Sequence, residues 1–108
     1  MSTSTSGVAR SLRGEEILSA LTQQREELRR FGVRRLSLFG SAVRGSAGSA
    51  SDLDFLVDFD HKTFRNYMGL LAFLERFFDR KVDLVVRETI KPAIRERILR
   101  EAQDVPGL

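Results

Sequence analysis

A chain of 108 residues with 42% apolar and 31% charged residues suits one domain around one core and is too short for two. The absence of Cys excludes a disulfide framework, a thiolate metal site and a cysteine nucleophile, and a single His excludes a histidine-rich metal centre. Lys and Arg number 18 against 15 Asp and Glu, a formal net charge of +3, which is too small an excess to argue for a nucleic-acid partner.

No apolar run approaches the ~20 residues of a membrane span, and the N-terminus carries no apolar signal core. The expectation is a cytoplasmic protein that neither enters a membrane nor binds nucleic acid directly. Residues Met1 to Gly7 are small and polar without periodicity, and residues 1–13 read as a flexible N-terminal tail. From Gly14 to Arg30, Ile17, Leu18, Leu21 and Leu28 recur at helical spacing, and Gly32 supplies a stop. Val33 to Phe39 reads as a strand, with Leu36 and Leu38 two apart.

Gly40 to Ser51 is rich in Gly and Ser and reads as a loop, although Ser41-Ala-Val-Arg44 can form one helical turn capped by Ser41. Asp52 to Phe59 is the clearest strand: Leu53, Phe55, Val57 and Phe59 face one way, and Asp52, Asp54, Leu56 and Asp58 the other. Phe64 to Phe78 carries a complete helical stripe in Tyr67, Leu70, Leu71, Leu74, Phe77 and Phe78. Lys81 to Val86 is a further strand. Pro92 opens a final helix with Ile94, Ile98 and Ala102 on its inner side, and residues 105–108 form a C-terminal tail.

The order is α-β-(turn)-β-α-β-α: an α/β (α+β) domain over residues 14–104, with a sheet of about three strands and helices on one face. A strand, a four-turn helix and a strand make a crossover unit, so the second and third strands should be parallel. Seven of the eight phenylalanines, Phe31, Phe39, Phe55, Phe59, Phe73, Phe77 and Phe78, fit strand and helix periods and read as core. His61 reads as solvated, Tyr67 as core, and Asp58 and Asp60 as lying too far along their strand to join a site. The arginines between Arg29 and Arg35, and Arg95, Arg97, Arg100, Glu96 and Glu101 of the last helix, read as solvated faces, although one cation of that helix can instead reach a bound ligand and periodicity does not choose between the two.

The chemistry concentrates at Asp52 and Asp54. At i, i+2 on a strand their side chains leave one face about 7 Å apart at Cα, close enough to share a hard cation such as Mg²⁺, which takes one or two carboxylates and completes its shell with water and phosphate. The same pair can also simply point into solvent at a strand end. Asp83, enclosed in Val-Asp-Leu-Val, is awkward in a plain core strand. If its strand lies parallel and adjacent, Asp83 comes beside Asp54, and three carboxylates on neighbouring strands are the usual ligands of a two-ion site for in-line displacement. Gly40-Ser41, following a strand and opening a turn, suits a phosphate, and Arg44 brings a cation one turn on.

Gly40-Ser41, ten residues, then Asp52-Leu53-Asp54 resembles the GSx₁₀DxD signature of the DNA polymerase β-like nucleotidyltransferase superfamily. Within it, LFGSAVRG, SDLDFLVDF, KVDLV and KPAIRERILREA look like the minimal nucleotidyltransferases, over about Ile17 to Ala102. The resemblance implies a mixed sheet with flanking helices, Mg²⁺ on Asp52, Asp54 and Asp83, two ions in all, and ATP held at Gly40 and Ser41. It also implies an antitoxin that adenylylates a Tyr of a HEPN-domain RNase toxin. Two alternatives stay open at this point: a non-catalytic antitoxin acting by binding, or transfer to a small-molecule hydroxyl.

Overall fold

The computed structural model describes residues 13–44 and 52–108. The expected tail, apart from Arg13, and the Gly45–Ser51 part of the expected loop lie outside the described residues. Helix α1 spans Gly14–Thr22, α2 Arg25–Arg30 and β1 Val33–Phe39; a short helical turn, α3, covers Ser41–Arg44. Strand β2 spans Leu53–Phe59, α4 Phe64–Phe78 and β3 Val82–Val86. A 3₁₀ turn at Arg87–Thr89 leads to α5, Pro92–Glu101, and to β4, Gln103–Asp104.

The sheet has four strands in the order β3-β2-β1-β4. Strands β2 and β3 are parallel, as the crossover through α4 requires, while β1 runs antiparallel to both β2 and β4. The expected sheet of about three strands thus gains a short fourth at the C-terminal end. There Asp104 accepts a hydrogen bond from the Ser37 hydroxyl, Val105 donates its N–H to the Leu36 carbonyl at 2.8 Å, and the Val105 side chain is buried.

One face of the sheet makes the core. Leu36 and Leu38 of β1 and Leu53, Phe55 and Val57 of β2 meet Ile17, Leu21 and Leu28 of the first two helices and Leu70, Leu74 and Phe78 of α4. The phenyl rings of Phe55 and Phe78 stack with centroids 6.1 Å apart. The opposite face is not wholly solvated: Leu56, expected there beside the acids, is buried, because the 3₁₀ turn packs against β2.

Three local expectations need correction. The helix expected over Gly14 to Arg30 is two helices, broken at Gln23-Gln24, where Gln24 N–H bonds the Leu21 carbonyl and Arg25 Nη1 takes the Thr22 carbonyl at 2.8 Å. The turn covers Ser41–Arg44 as expected, but Gly40 rather than Ser41 holds the capping position, its carbonyl accepting from both Val43 and Arg44 N–H. The last helix buries no residue, and Ile94 is 40% exposed. It lies along the rim of the acid-bearing face rather than sealing a core. No helix among the described residues is long and apolar enough to cross a membrane.

Candidate active site

Asp54 and Asp83 are register partners across the parallel β2–β3 pair. Adjacent strands lie about 4.8 Å apart, and register partners send their side chains to the same face, so the two carboxylates are neighbours on the face opposite the core. Asp52 precedes β2 by one residue and is exposed, as is Asp83. The tension expected of a carboxylate enclosed by Val and Leu does not arise, because the pleat turns Asp83 to the open face while Val82 and Leu84 are buried. Behind β3, the half-buried Tyr67 donates its hydroxyl to the Leu84 carbonyl at 2.6 Å, which ties the strand to α4 next to Asp83.

Asp54 is half-buried and holds its proton to higher pH than an ordinary carboxylate. Burial is the largest cause, followed by the charges of Asp83 and Asp52; Arg44 acts in the opposite sense and Glu101 adds a further rise. On its other side Asp54 faces Phe39, the last residue of β1, and beyond Phe39 the chain turns at Gly40 with φ +81°. A Cβ at Gly40 would overlap Asp54 Oδ2. The sequence offers Gly40 to a phosphate, but the space left by its missing side chain is filled by this carboxylate.

An all-oxygen set of acidic neighbours, the ionisation of one of them opposed by burial and by the others, fits a hard divalent cation. What the chain brings together is a pair, Asp54 and Asp83, with Asp52 close enough to be felt. Among the described residues no three His, Cys, Asp or Glu side chains are gathered so that they could hold a metal ion as a group.

Beside the acids lies a cleft of about 510 Å³ lined by Phe39, Gly40, Arg44, Arg97, Ile98 and Glu101. Arg44, at the end of α3, donates Nη1 to Glu101 at 2.9 Å. Phe39 corrects the core assignment of the phenylalanines: it is half-buried and outside the core cluster, facing the cleft. Sequence reasoning placed Arg97 and Glu101 on a solvated helix face and Ile98 on an inner one. Their i, i+4 spacing and the apolar Ile98 between them were the available signal, and only the position of α5 tells which face meets the cleft.

Ser41 follows Gly40 as the first residue of α3 and is half-buried. Asp58 and Asp60, set aside in the sequence, stand away from the acids and pair with Arg34 at 3.3 and 3.9 Å. Arg30 pairs with Glu27, and Arg35 with Asp104. His61 is exposed.

Residues 21–105 match the nucleotidyltransferase domain family. The chain belongs to that family. Within it the chain is 45% identical over 89 residues to the protein adenylyltransferase MntA of Thermococcus cleftensis, covering 81% of this chain and 90% of that one. A solved structure assigned provisionally to the minimal nucleotidyltransferases superposes with a TM-score of 0.66 at 37% identity, over 80% of this chain and 93% of the other. The same fold recurs, at 18% identity and a TM-score of 0.59, in a complex of a tri-AMPylated Shewanella oneidensis HEPN toxin with its MNT antitoxin, covering 84% of this chain and 73% of that chain. A nucleotidyltransferase is therefore the frame in which the acids, the Gly40 bend and the α5 cleft are to be understood.

Proposed function

We propose that this nucleotidyltransferase moves AMP from ATP to a hydroxyl, a tyrosine's, on a HEPN-domain toxin, and so acts as a cytoplasmic antitoxin. The observation that carries the chemistry is the register pairing of Asp54 with Asp83 beside the Gly40 bend. The names of its relatives supply the acceptor class: a protein adenylyltransferase at 45% identity, and a fold neighbour bound to an AMPylated HEPN toxin.

Asp52, Asp54 and Asp83 would hold Mg²⁺, two ions in the full reading, which when bound neutralises charge on the triphosphate. Asp83, exposed and paired in register with Asp54, accepts the proton of the incoming hydroxyl. The hydroxyl oxygen bonds to the α-phosphorus as the bond from that phosphorus to the bridging oxygen breaks, and pyrophosphate leaves. Gly40, Ser41 and Arg44 line the phosphates, and Arg97 supplies a second cation to the same cleft. Holding the reactants in line and offsetting charge provide most of the acceleration. The chain has a nucleotide-sized cleft but little room for an acceptor pocket, which favours an acceptor presented by another macromolecule.

The test is transfer of label from α-labelled ATP to the HEPN partner in the presence of Mg²⁺. The parent chain should label it, and Asp54→Asn should lower the rate at least about a hundredfold. An Asp54→Asn protein that labels as fast as the parent rejects the proposal. Tight inhibition of the toxin with no label transferred would point to an antitoxin that works by contact alone.

A further inference from the structure

The cleft contains an acidic side chain whose place runs against its surroundings. Glu101 is the last residue of α5, the helix end at which carbonyl partial charges disfavour a carboxylate, and it adds to the negative field at Asp54. Only 24% of its side chain is exposed. What offsets this position is Arg44, whose Nη1 donates to both carboxylate oxygens, at 2.9 and 3.3 Å.

The two partners are unequally held. Arg44 keeps 58% of its side chain exposed and lines the cleft, so Glu101 is the anchored member and Arg44 the projecting one. A guanidinium offers five N–H donors on three nitrogens, and the Glu101 contact uses one of those nitrogens. A bidentate arrangement would have engaged two. The observed one restrains the side chain and leaves Nε and Nη2 unengaged by Glu101.

We propose that Glu101 is a positioning residue that fixes the Arg44 guanidinium on the cleft wall, so that its remaining donors meet the phosphates of a nucleoside triphosphate. The proposal rests on the nucleotidyl-transfer reading above. Restraint of a long, rotamer-rich side chain before the ligand arrives strengthens binding by removing an ordering penalty from the binding step. Without Glu101 the charge of Arg44 remains, but its position is lost.

The experiment compares Glu101→Ala, Glu101→Gln, Arg44→Ala and the Arg44/Glu101 double alanine variant. The readouts are calorimetric affinity for the magnesium complex of a non-hydrolysable ATP analogue, and KM against kcat in the labelling assay. Glu101→Ala should weaken nucleotide binding about tenfold, the equivalent of one charge-assisted contact, with the change larger in KM than in kcat. Glu101→Gln retains an oxygen for Nη1 and should recover part of the affinity. In the Arg44→Ala background, removal of Glu101 should change affinity by less than about twofold.

Unchanged or tighter binding by Glu101→Ala overturns the proposal, as does an undiminished effect in the Arg44→Ala background. If Glu101→Ala fails to fold, Glu101→Gln decides by the same criteria. A parent chain that binds no magnesium–nucleotide overturns the nucleotidyl-transfer reading together with this one, whereas normal parental binding with a silent Glu101 overturns this one alone.

Discussion

At Asp54, a single side chain links the stability of the domain to its chemistry. Burial, Asp83 and Asp52 raise its affinity for a proton above the ordinary value of 3.8, against the pull of Arg44. Between that value and the raised one, the folded chain binds more protons than the unfolded chain, so stability falls as pH rises through the window. Above that window the ionised Asp54 works against the metal-free fold. Asp54→Asn should therefore raise the thermal midpoint at pH 7 in the presence of a chelator, and the advantage should vanish below pH 3.8. Equal midpoints for parent and variant across this range would show that the acids do not strain one another. Gly40, next to Asp54, allows a second test at this scale. Its φ of +81° and the overlap of any Cβ with Asp54 Oδ2 predict that Gly40→Ala loses about 1–2 kcal/mol of stability from backbone strain. It should also displace the carboxylate, so AMP transfer should fall by more than the folded fraction does, as urea titration and the labelling assay on the same samples will show.

Among the elements, α4 is the one whose boundaries follow from local chemistry. Thr63 Oγ1 accepts from Asn66 N–H at 3.0 Å at its start. Asp79 closes the helix in a left-handed conformation, φ 53°, with its N–H on the Glu75 carbonyl. Replacing Thr63 by Ala should destabilise the domain by about 1 kcal/mol. Asp79→Gly should stabilise it by about 0.5–1 kcal/mol, because glycine adopts that conformation without steric strain. Urea midpoints at constant slope check both. The same local signals explain what the sequence revealed and what it concealed. The stripe of Phe64–Phe78 was legible, and so was the Asp-x-Asp strand whose parallel neighbour carries Asp83, since a crossover connection forces that pairing. The break at Gln23-Gln24 was not legible: neither residue disfavours a helix, and packing of two short helices on the sheet overrides a weak propensity. Nor was the role of α5 legible, because Arg97 and Glu101 at i, i+4 describe a solvated helix face equally well until the helix is placed across a cleft.

For the whole molecule, the sheet separates two tasks by its pleat. Phe55 points into the core while Asp54 and Leu56, its chain neighbours, point the other way, so the fold can tolerate mutually repelling acids because its apolar burial lies on the other side. A magnesium–nucleotide complex that binds only the folded chain stabilises it by mass action, about 2.7 kcal/mol at a hundredfold excess over Kd. For a domain of this size that corresponds to a thermal midpoint roughly 10–20 °C higher. The order of stabilities should therefore reverse with ligand. In chelator, Asp54→Asn melts above the parent; with a saturating magnesium complex of a non-hydrolysable ATP analogue, the parent melts above Asp54→Asn, which responds weakly. Magnesium alone, without nucleotide, should move the parent by a smaller amount, because Asp54 and Asp83 form an open pair and phosphate oxygens are needed to complete the coordination shell. Scanning calorimetry on both proteins under the three conditions tests this. If nucleotide stabilises parent and variant equally, the cleft binds its ligand without the acids, and the chemistry assigned to Asp54 is lost with it.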